Sequence, residues 1–110
     1  MNDSETLLGV PVREHDGAMF LLLGVALGDV FEIDDDGVWM RIPNRNERAE
    51  IPVPLTLLDA VEYAGYLVHR EDGSHCTEKG MAALRRWSRR HFRDTEWKAV
   101  ERRMKPPVWS

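Results

Sequence analysis

Five arginines fall within nine consecutive residues near the C-terminal end of the sequence, in the segment RRWSRRHFR: Arg85, Arg86, Arg89, Arg90 and Arg93. On a helix they form two rows, because residues three or four positions apart share a face. Arg85 and Arg89 make one row, and the other three make the second. Guanidinium groups bind phosphates through paired hydrogen bonds, and the interleaved Trp87 and Phe92 offer surfaces for stacking on bases. The segment therefore predicts sequence-tolerant contacts with the phosphates of DNA.

Three more basic side chains precede this segment and extend the predicted nucleic-acid surface. Arg70 and His75 flank an acidic turn at residues 71–73, and Lys79 lies at the start of the predicted helix. The alternative is an ordinary amphipathic helix whose arginines are solvated or paired with acidic residues elsewhere in the chain.

Charge is divided unevenly along the chain. The net charge of the 110 residues is −4 at pH 7. Residues 1–63 carry 4 Lys and Arg against 13 Asp and Glu, whereas residues 64–110 carry 11 against 6. This division indicates either that one face is kept for a polyanion or that the two halves attract each other.

The spacing of the possible metal ligands disfavours a metal site. These ligands are His69, His75, Cys76 and His91, and they form no CxxC or HxxxH pattern. His75 and Cys76 are neighbours on a predicted strand and point to opposite faces, so they do not easily share an ion. We expect no metal site and a buried Cys76.

The sequence also contains none of the motifs that commonly mark an enzyme. It has no glycine-rich phosphate loop, no GxSxG motif and no HExxH motif. The acidic run from Asp34 to Asp36 lacks the alternating spacing of a calcium loop and is better explained as a turn. We therefore expect a protein that is not an enzyme and needs no cofactor.

Length and composition indicate one folded domain. With 43% hydrophobic and 31% charged residues, 110 residues are enough for a single core. We expect one domain over residues 1–110, with ragged ends at 1–15 and 105–110. The single cysteine cannot form an internal disulfide, which favours a cytoplasmic location. The apolar run at 18–27 is about half as long as a membrane span, so no membrane association is expected.

The first half of the sequence predicts several short elements. Residues 7–12 suggest an edge strand, since Pro11 cannot donate to a central ladder. Residues 18–27 favour a helix with Asp16 as its N-cap and Gly28 as its stop, although a buried strand remains an alternative. Residues 30–33 and 38–42 predict a hairpin, and the proline-containing residues 43–54 predict a loop.

The second half predicts a helix, a hairpin and two further helices. Helical spacing of apolar residues predicts a short helix over 55–65, with Thr56 as its N-cap and Gly65 at its end. A glycine turn at 71–73 then joins two strands. Thr77 is expected to cap the next helix, and Asp94 with Thr95 to cap the last one. The apolar stripe of these two helices is Met81, Leu84, Trp87, Ser88, His91 or Phe92, Trp97, Val100 and Met104.

The order short helix, glycine, strand, glycine turn, strand and helix resembles the second half of winged-helix transcription regulators of the MarR and PadR kind. The matching residues are Leu55, Leu58, Tyr63, GYL at 65–67, Asp72-Gly73 and TEKG at 77–80. The resemblance covers about a third of the chain. It implies an α+β fold, a winged-helix-like single domain with short helices, small antiparallel hairpins and a C-terminal amphipathic helical segment. It also implies that the first helix of this stretch is the recognition helix and that the hairpin is the wing.

Two functions from different classes remain open. The first is a small DNA-binding transcription regulator that contacts the DNA backbone through the wing and the arginine-rich helix. It would form a homodimer through an apolar surface made of Trp87, Trp97, Val100 and Met104. The second is a non-enzymatic interaction module for a basic protein partner. That partner would bind the helix at 55–65, which carries Asp59 and Glu62 and no basic residue, or the hairpin at 30–42.

Overall fold

The chain alternates small antiparallel sheets with helices. The computed structural model describes residues 6–7, 9–28, 30–34, 37–41 and 50–109, and within them the α+β class is confirmed. The four α-helices are α1 (Asp16–Ala26), α2 (Leu55–Tyr63), α3 (Glu78–His91) and α4 (Asp94–Glu101). The strands are β1 (Thr6–Leu7), β2 (Val10–Pro11), β3 (Val30–Asp34), β4 (Gly37–Arg41), β5 (Glu50–Val53), β6 (Leu67–Arg70) and β7 (Gly73–Cys76), and a 3-10 helix covers Val12–Glu14.

Helix α1 is the central element of the core. Every residue from Leu21 to Ala26 is buried, as are Ala18 and Met19, and the helix contacts α2, α3 and β7. A helix that is apolar on nearly all sides belongs in the middle of a fold. This explains why the sequence alone left a buried strand open for residues 18–27, and the structure decides for the helix.

Strands β3, β4 and β5 form one antiparallel sheet in that order. The predicted pairing of the first two is confirmed, with Ile33 opposite Val38, while the turn at residues 35–36 lies outside the described residues. The prediction of a loop over 43–54 is wrong at its end, because residues 50–53 pair with β4 as a third strand. Pro52 lies opposite Trp39 in this strand, which has one described partner, and a proline is tolerated at such an edge.

Helix α2 ends in a glycine-based cap that leads directly into the next hairpin. Gly65 has φ +80°, its N–H donates to the Glu62 carbonyl, and the Tyr66 N–H donates to the Val61 carbonyl. These two bonds form a Schellman motif, which needs a left-handed residue at the position of Gly65. Strands β6 and β7 then pair, with Leu67 opposite Cys76 and Arg70 opposite Gly73. We call this β6–β7 hairpin the wing.

Thr77 fixes the junction between the wing and α3. Its Oγ1 accepts a hydrogen bond from the Gly80 N–H at 3.0 Å and donates to the Gly65 carbonyl at 2.6 Å. The side chain is fully buried, and the predicted N-cap is confirmed. The predicted stripe of α3 is also confirmed, since Met81, Leu84, Trp87 and Ser88 are all buried.

Residues 105–109, within the segment expected to be ragged, form hydrogen bonds with the rest of the fold. After α4, residues 105–109 cross back over the wing, and we call this segment the strap. Val108 forms a parallel bridge with Thr77, its N–H donates to the Cys76 carbonyl, and its own carbonyl accepts from Glu78 N–H. Lys105 donates from its backbone to the Ala26 carbonyl and from Nζ to the Ser74 carbonyl. The strap therefore joins the wing to α1.

Residues 12–14, within the N-terminal segment expected to be ragged, pack on the core. Val12 is only 1% exposed and belongs to the core. The predicted edge strand at 7–12 is replaced by the short β1–β2 pairing, in which Leu7 lies opposite Val10, followed by the 3-10 helix. Packing of this 3-10 helix against α1 and α3 holds residues 12–14 in place.

Three predicted helix caps are displaced by one or two residues. The N-cap of α1 is His15, whose Nδ1 accepts from the Ala18 N–H at 3.2 Å, and not Asp16. The N-caps of α2 and α4 are Pro54 and Arg93, without a side-chain hydrogen bond, where Thr56 and Asp94 with Thr95 were expected. Asp94 is instead the first helical residue, where a carboxylate is favoured by the helix dipole.

The first half of the fold departs from the resemblance that the sequence suggested. Winged-helix regulators of that kind have two helices ahead of the recognition helix. Here the described residues between α1 and α2 form the β3–β4–β5 sheet instead.

Across the described residues, no helix combines the length and apolar composition needed to cross a membrane.

Candidate nucleic-acid interface

The solvent side of α3 is strongly basic. The buried stripe faces the core, so the arginine rows on either side of it point outward. All five residues are exposed: Arg85, Arg86, Arg89, Arg90 and Arg93. Arg85, Arg86, Arg89 and Arg90 lie on α3 as predicted. Arg93 lies outside the helix, because α3 ends at His91 and Arg93 is the extended N-cap of α4. What surrounds each row decides its chemistry.

The row of Arg85 and Arg89 faces acidic residues of α4. Nε of Arg85 donates to Oε1 of Glu101 at 2.7 Å. Both arginines line a surface depression of about 210 Å³ together with Glu101 and Asp94. A phosphate that entered this depression would meet two carboxylates as well as the cations, so its electrostatic attraction would be reduced.

The second row is less tightly paired. Arg90 lies 3.6 Å from Oε1 of Glu14, and Arg93 lies 3.8 Å from Oε1 of Glu96. Ion pairs that are this long and this exposed contribute little to the free energy of folding, and another anion easily replaces the carboxylate. Arg86 forms no ion pair with any residue in the part of the chain that the structure describes.

Arg86 also borders a second depression, of about 230 Å³, which shares no lining residue with the first. Lys79 lies two helical turns before Arg86 on the same wall, and Arg13 of the 3-10 helix forms another wall. Nζ of Lys79 is 5.6 Å from the centroid of the Tyr66 ring. The remaining described lining residues are Tyr66, Ala82 and Ala83, so three cations and no carboxylate surround this depression among the described residues. We call it the Arg13–Lys79–Arg86 depression.

The two basic residues predicted on the wing are engaged within the fold. The guanidinium of Arg70 donates to the Trp109 carbonyl of the strap at 2.9 Å. Nε2 of His75 lies 2.8 Å from Oδ1 of Asp72, and this hydrogen bond lowers the pKa of the Asp72 carboxyl. Arg70 remains exposed, whereas the His75 side chain is only 15% exposed.

Helix α2 presents an acidic and apolar face. Leu55 and Tyr63 are 58% and 71% exposed, and Asp59 lies between them at spacings of four. Glu62 lies 2.7 Å from Nε2 of His69. This face has no Lys or Arg and so lacks the side chains that usually read base edges in the major groove.

Two of the four residues predicted for a dimer interface belong to the core of the monomer. Trp87 is 3% exposed and Trp97 is 9% exposed. The indole N–H of Trp87 donates to Oδ1 of Asp16 at 3.1 Å, and its ring packs at 5.0 Å from that of Phe20. These tryptophans join α1, α3 and α4 internally and offer no surface to a second copy. Val100 and Met104 pack on the same core but remain half-buried.

Cys76 is buried, as expected from the sequence. Burial raises the pKa of its thiol to about 12, and the charge of Glu78 adds to the shift. The thiolate is the reactive form and the metal-binding form, so Cys76 is inert near neutral pH. Among the described residues, no group of three His, Cys, Asp or Glu side chains is arranged to hold a metal ion.

Two residues of this surface are not predicted by the sequence. Arg13 lies in the acidic half of the chain and reaches the basic depression only because the 3-10 helix packs against α3. Trp109, 80% exposed, lies beside Arg70 because the strap returns to the wing. In both cases the sequence separation is long, and a local pattern carries no signal of the contact.

Comparison with known proteins identified no relative of this chain. No protein-family model matches the chain, and searches of curated proteins and of solved structures each found no match.

Proposed function

We propose that this chain is a nucleic-acid-binding protein, a winged-helix-like DNA-binding regulator that contacts phosphates through the solvent face of α3 and the adjoining wing. The observation that best supports this function is the group of four exposed arginines on α3, held outward by a buried stripe on the opposite face, with the exposed Arg93 just beyond the end of the helix. Arg86, Arg90 and Arg93 are central to it, because their ion pairs are long or absent among the described residues. Phosphates replace such weak pairs readily.

The proposed contact is with the nucleic-acid backbone and not with base edges. Arginine rows on the outside of a helix meet phosphates without distinguishing sequence, whereas base reading needs polar side chains presented into a groove. The helix in the position of a recognition helix, α2, carries Asp59 and Glu62 on its outer side and repels phosphates. We therefore expect binding that depends strongly on salt and weakly on DNA sequence.

Fluorescence anisotropy on a labelled DNA of mixed sequence, measured at two salt concentrations, tests this function. The logarithm of the affinity should fall with the logarithm of salt concentration, with a slope of about one per phosphate contact. The double substitution Arg86→Glu plus Arg90→Glu should weaken binding by at least about tenfold, because it replaces two cations with anions at the centre of the face.

The matched control is Arg102→Glu plus Arg103→Glu, at the end of α4. This control makes the same change in net charge at two exposed arginines outside α3. It should weaken binding clearly less than the α3 pair. If the two double substitutions weakened binding equally, binding would depend only on net charge. If the α3 variant bound DNA as well as the original chain, the proposed interface would be refuted.

A second candidate function is an interaction module for a basic protein. The observation that favours it is the exposure of Leu55 and Tyr63 on either side of Asp59, which gives α2 an apolar surface within an acidic face. Three results together would decide for this function. The chain should retain one basic protein from cell extract in stoichiometric amount, and the variant Asp59→Lys plus Tyr63→Ser should lose this retention. The chain should also fail to retain DNA at low salt.

Homodimerisation remains part of the regulator proposal, with a narrower surface than the sequence suggested. Val100 lines an apolar depression of about 230 Å³ with Leu27, Ala99 and Arg103. Leu27 is among the exposed large apolar residues. A mass measurement in solution tests this, and Val100→Asp should shift a dimer toward the monomer if α4 forms the contact.

A further inference from the structure

The Arg13–Lys79–Arg86 depression combines a cavity of about 230 Å³ with basic lining residues from two elements. Lys79, Ala82, Ala83 and Arg86 follow one another at positions i, i+3, i+4 and i+7, so they lie along one face of α3. The two alanines leave space between the long cationic side chains, since each contributes a single methyl group. Arg13 closes the space from a different element.

The walls of this depression are set by buried neighbours, which fixes the backbones that carry the three cations. Arg13 follows the buried Val12, and Lys79 precedes the buried Gly80. The stem of Lys79 passes over Gly65, with Cδ within 3.7 Å of where a Cβ would be. Side chains that start from a fixed backbone lose less freedom when they bind, and this favours a defined site over a diffuse basic surface.

The other described depressions are less suited to an anion. The one beside α4 combines Arg85, Arg89 and Lys98 with Asp94 and Glu101. The apolar one next to Val100 has Arg103 as its one described cation. Of these three depressions, the Arg13–Lys79–Arg86 depression alone combines several cations with no carboxylate among its described lining residues, which favours a doubly charged anion.

We propose that the Arg13–Lys79–Arg86 depression binds one phosphate monoester. Two negative charges match the guanidinium groups of Arg13 and Arg86, neither of which forms an ion pair with a described residue. A volume of about 230 Å³ accommodates a terminal phosphate together with part of the group it esterifies. Two sources carry this chemistry, namely the 5′-phosphate end of a nucleic acid and a small phosphorylated compound. For the nucleic-acid end, the inference rests on the proposed function. For the small compound it stands on the depression alone.

The first experiment tests the site itself with inorganic phosphate. The isotope-labelled full chain is titrated with sodium phosphate and, separately, with sodium chloride at matched ionic strength, near pH 7.5, where phosphate is mainly a dianion. We expect saturable amide shifts confined to the surroundings of Arg13 and residues 79–86. Arg13→Gln plus Arg86→Gln should weaken this binding by about tenfold or more, because two charge-assisted contacts are lost.

The control for this titration is Arg102→Gln plus Arg103→Gln, which removes two exposed charges outside the depression and should leave phosphate binding unchanged. Both arginine pairs are exposed, and circular dichroism would verify that each variant folds. The site is refuted if chloride causes the same shifts, if the shifts do not saturate, or if the Arg13 and Arg86 variant binds phosphate as well as the original chain.

The second experiment identifies the source of the phosphate. One oligonucleotide is compared with and without a 5′-phosphate, and adenosine monophosphate is used as a competitor. Tighter binding of the phosphorylated oligonucleotide, lost in the Arg13 and Arg86 variant, supports the nucleic-acid end. Competition by the mononucleotide with no gain from the 5′-phosphate supports the small compound.

The two proposals can fail separately. Saturable phosphate binding without retention of DNA at low salt would overturn the proposed function and keep the site. The chain could instead retain DNA equally well with and without a 5′-phosphate and show no saturable response to inorganic phosphate. That result would overturn the site and keep the proposed function.

Discussion

Gly80 of α3 lies directly against the backbone carbonyl of Tyr66, where the wing meets the helix. A Cβ atom at position 80 would overlap that oxygen and lie 3.0 Å from Sγ of Cys76. The same oxygen accepts a hydrogen bond from the Thr77 N–H at 2.9 Å, which holds it in place. The glycine of the TEKG segment is therefore required by the close approach of two backbones.

Gly80→Ala should destabilise the protein by roughly 3 kcal/mol, because neither the helix nor the Tyr66 carbonyl can move away without breaking hydrogen bonds. Helix propensity alone would give the opposite result, a gain of about 1 kcal/mol. The comparison is Ala82→Gly, on the exposed side of the same helix, which should lose only about 1 kcal/mol. Urea denaturation monitored by circular dichroism measures both, and a stable Gly80→Ala variant would contradict the packing described.

The two buried tryptophans should respond differently to replacement by phenylalanine. The indole N–H of Trp87 donates to Asp16, whereas that of Trp97 is buried and has no partner among the described residues. Trp87→Phe loses a hydrogen bond to a charged group, and Trp97→Phe removes an unsatisfied donor. The first should be more destabilising by about 1 to 2 kcal/mol in urea denaturation. Equal losses would mean that the Trp87–Asp16 bond contributes nothing.

Stability should fall at alkaline pH because of Cys76. Burial raises the pKa of its thiol to about 12, whereas an unfolded thiol ionises near pH 8.5. Between these values the folded state keeps a proton that the unfolded state releases, so the free energy of unfolding decreases as pH rises, by at most about 1.4 kcal/mol per pH unit. Cys76→Ala lacks this contribution. The difference in unfolding free energy between the original chain and this variant should therefore shrink above about pH 9, and a constant difference would contradict the shift.

Opening of the wing should depend on the strap. Val108→Pro removes the N–H that donates to the Cys76 carbonyl at 3.0 Å. Amide hydrogen exchange in β6 and β7 should then accelerate by about tenfold, which corresponds to the loss of one backbone hydrogen bond. Pro106→Ala, at an exposed position of the same segment, is the control and should leave exchange in the wing unchanged.

Local features of the second half could be read from the sequence. The spacing of Met81, Leu84 and Trp87 predicted the buried face of α3, and Thr77 predicted its cap. Both signals lie within a few residues of the structure they specify. Arg85, Arg86, Arg89 and Arg90 follow the same helical period, so their exposure on α3 can also be predicted, whereas Arg93 lies beyond the end of the helix.

The remaining features depend on contacts between distant segments. The third strand of the sheet was missed because Pro52 indicates a loop, while its pairing with Trp39 depends on residues more than ten positions away. The partners of the arginines, Glu14 for Arg90 and Glu101 for Arg85, come from opposite ends of the chain. The return of the strap to the wing likewise leaves no periodic pattern in the sequence, so the contacts of residues 105–109 could not be predicted.

Thr77 makes the wing and α3 mechanically continuous. Its side chain joins the Gly65 carbonyl to the Gly80 N–H, its backbone N–H donates to Tyr66, and Val108 bridges it from the strap. A junction held from three directions has no flexible joint. The wing therefore keeps a fixed direction relative to the first turn of α3, and the arginines that follow on the helix keep a fixed position relative to the wing.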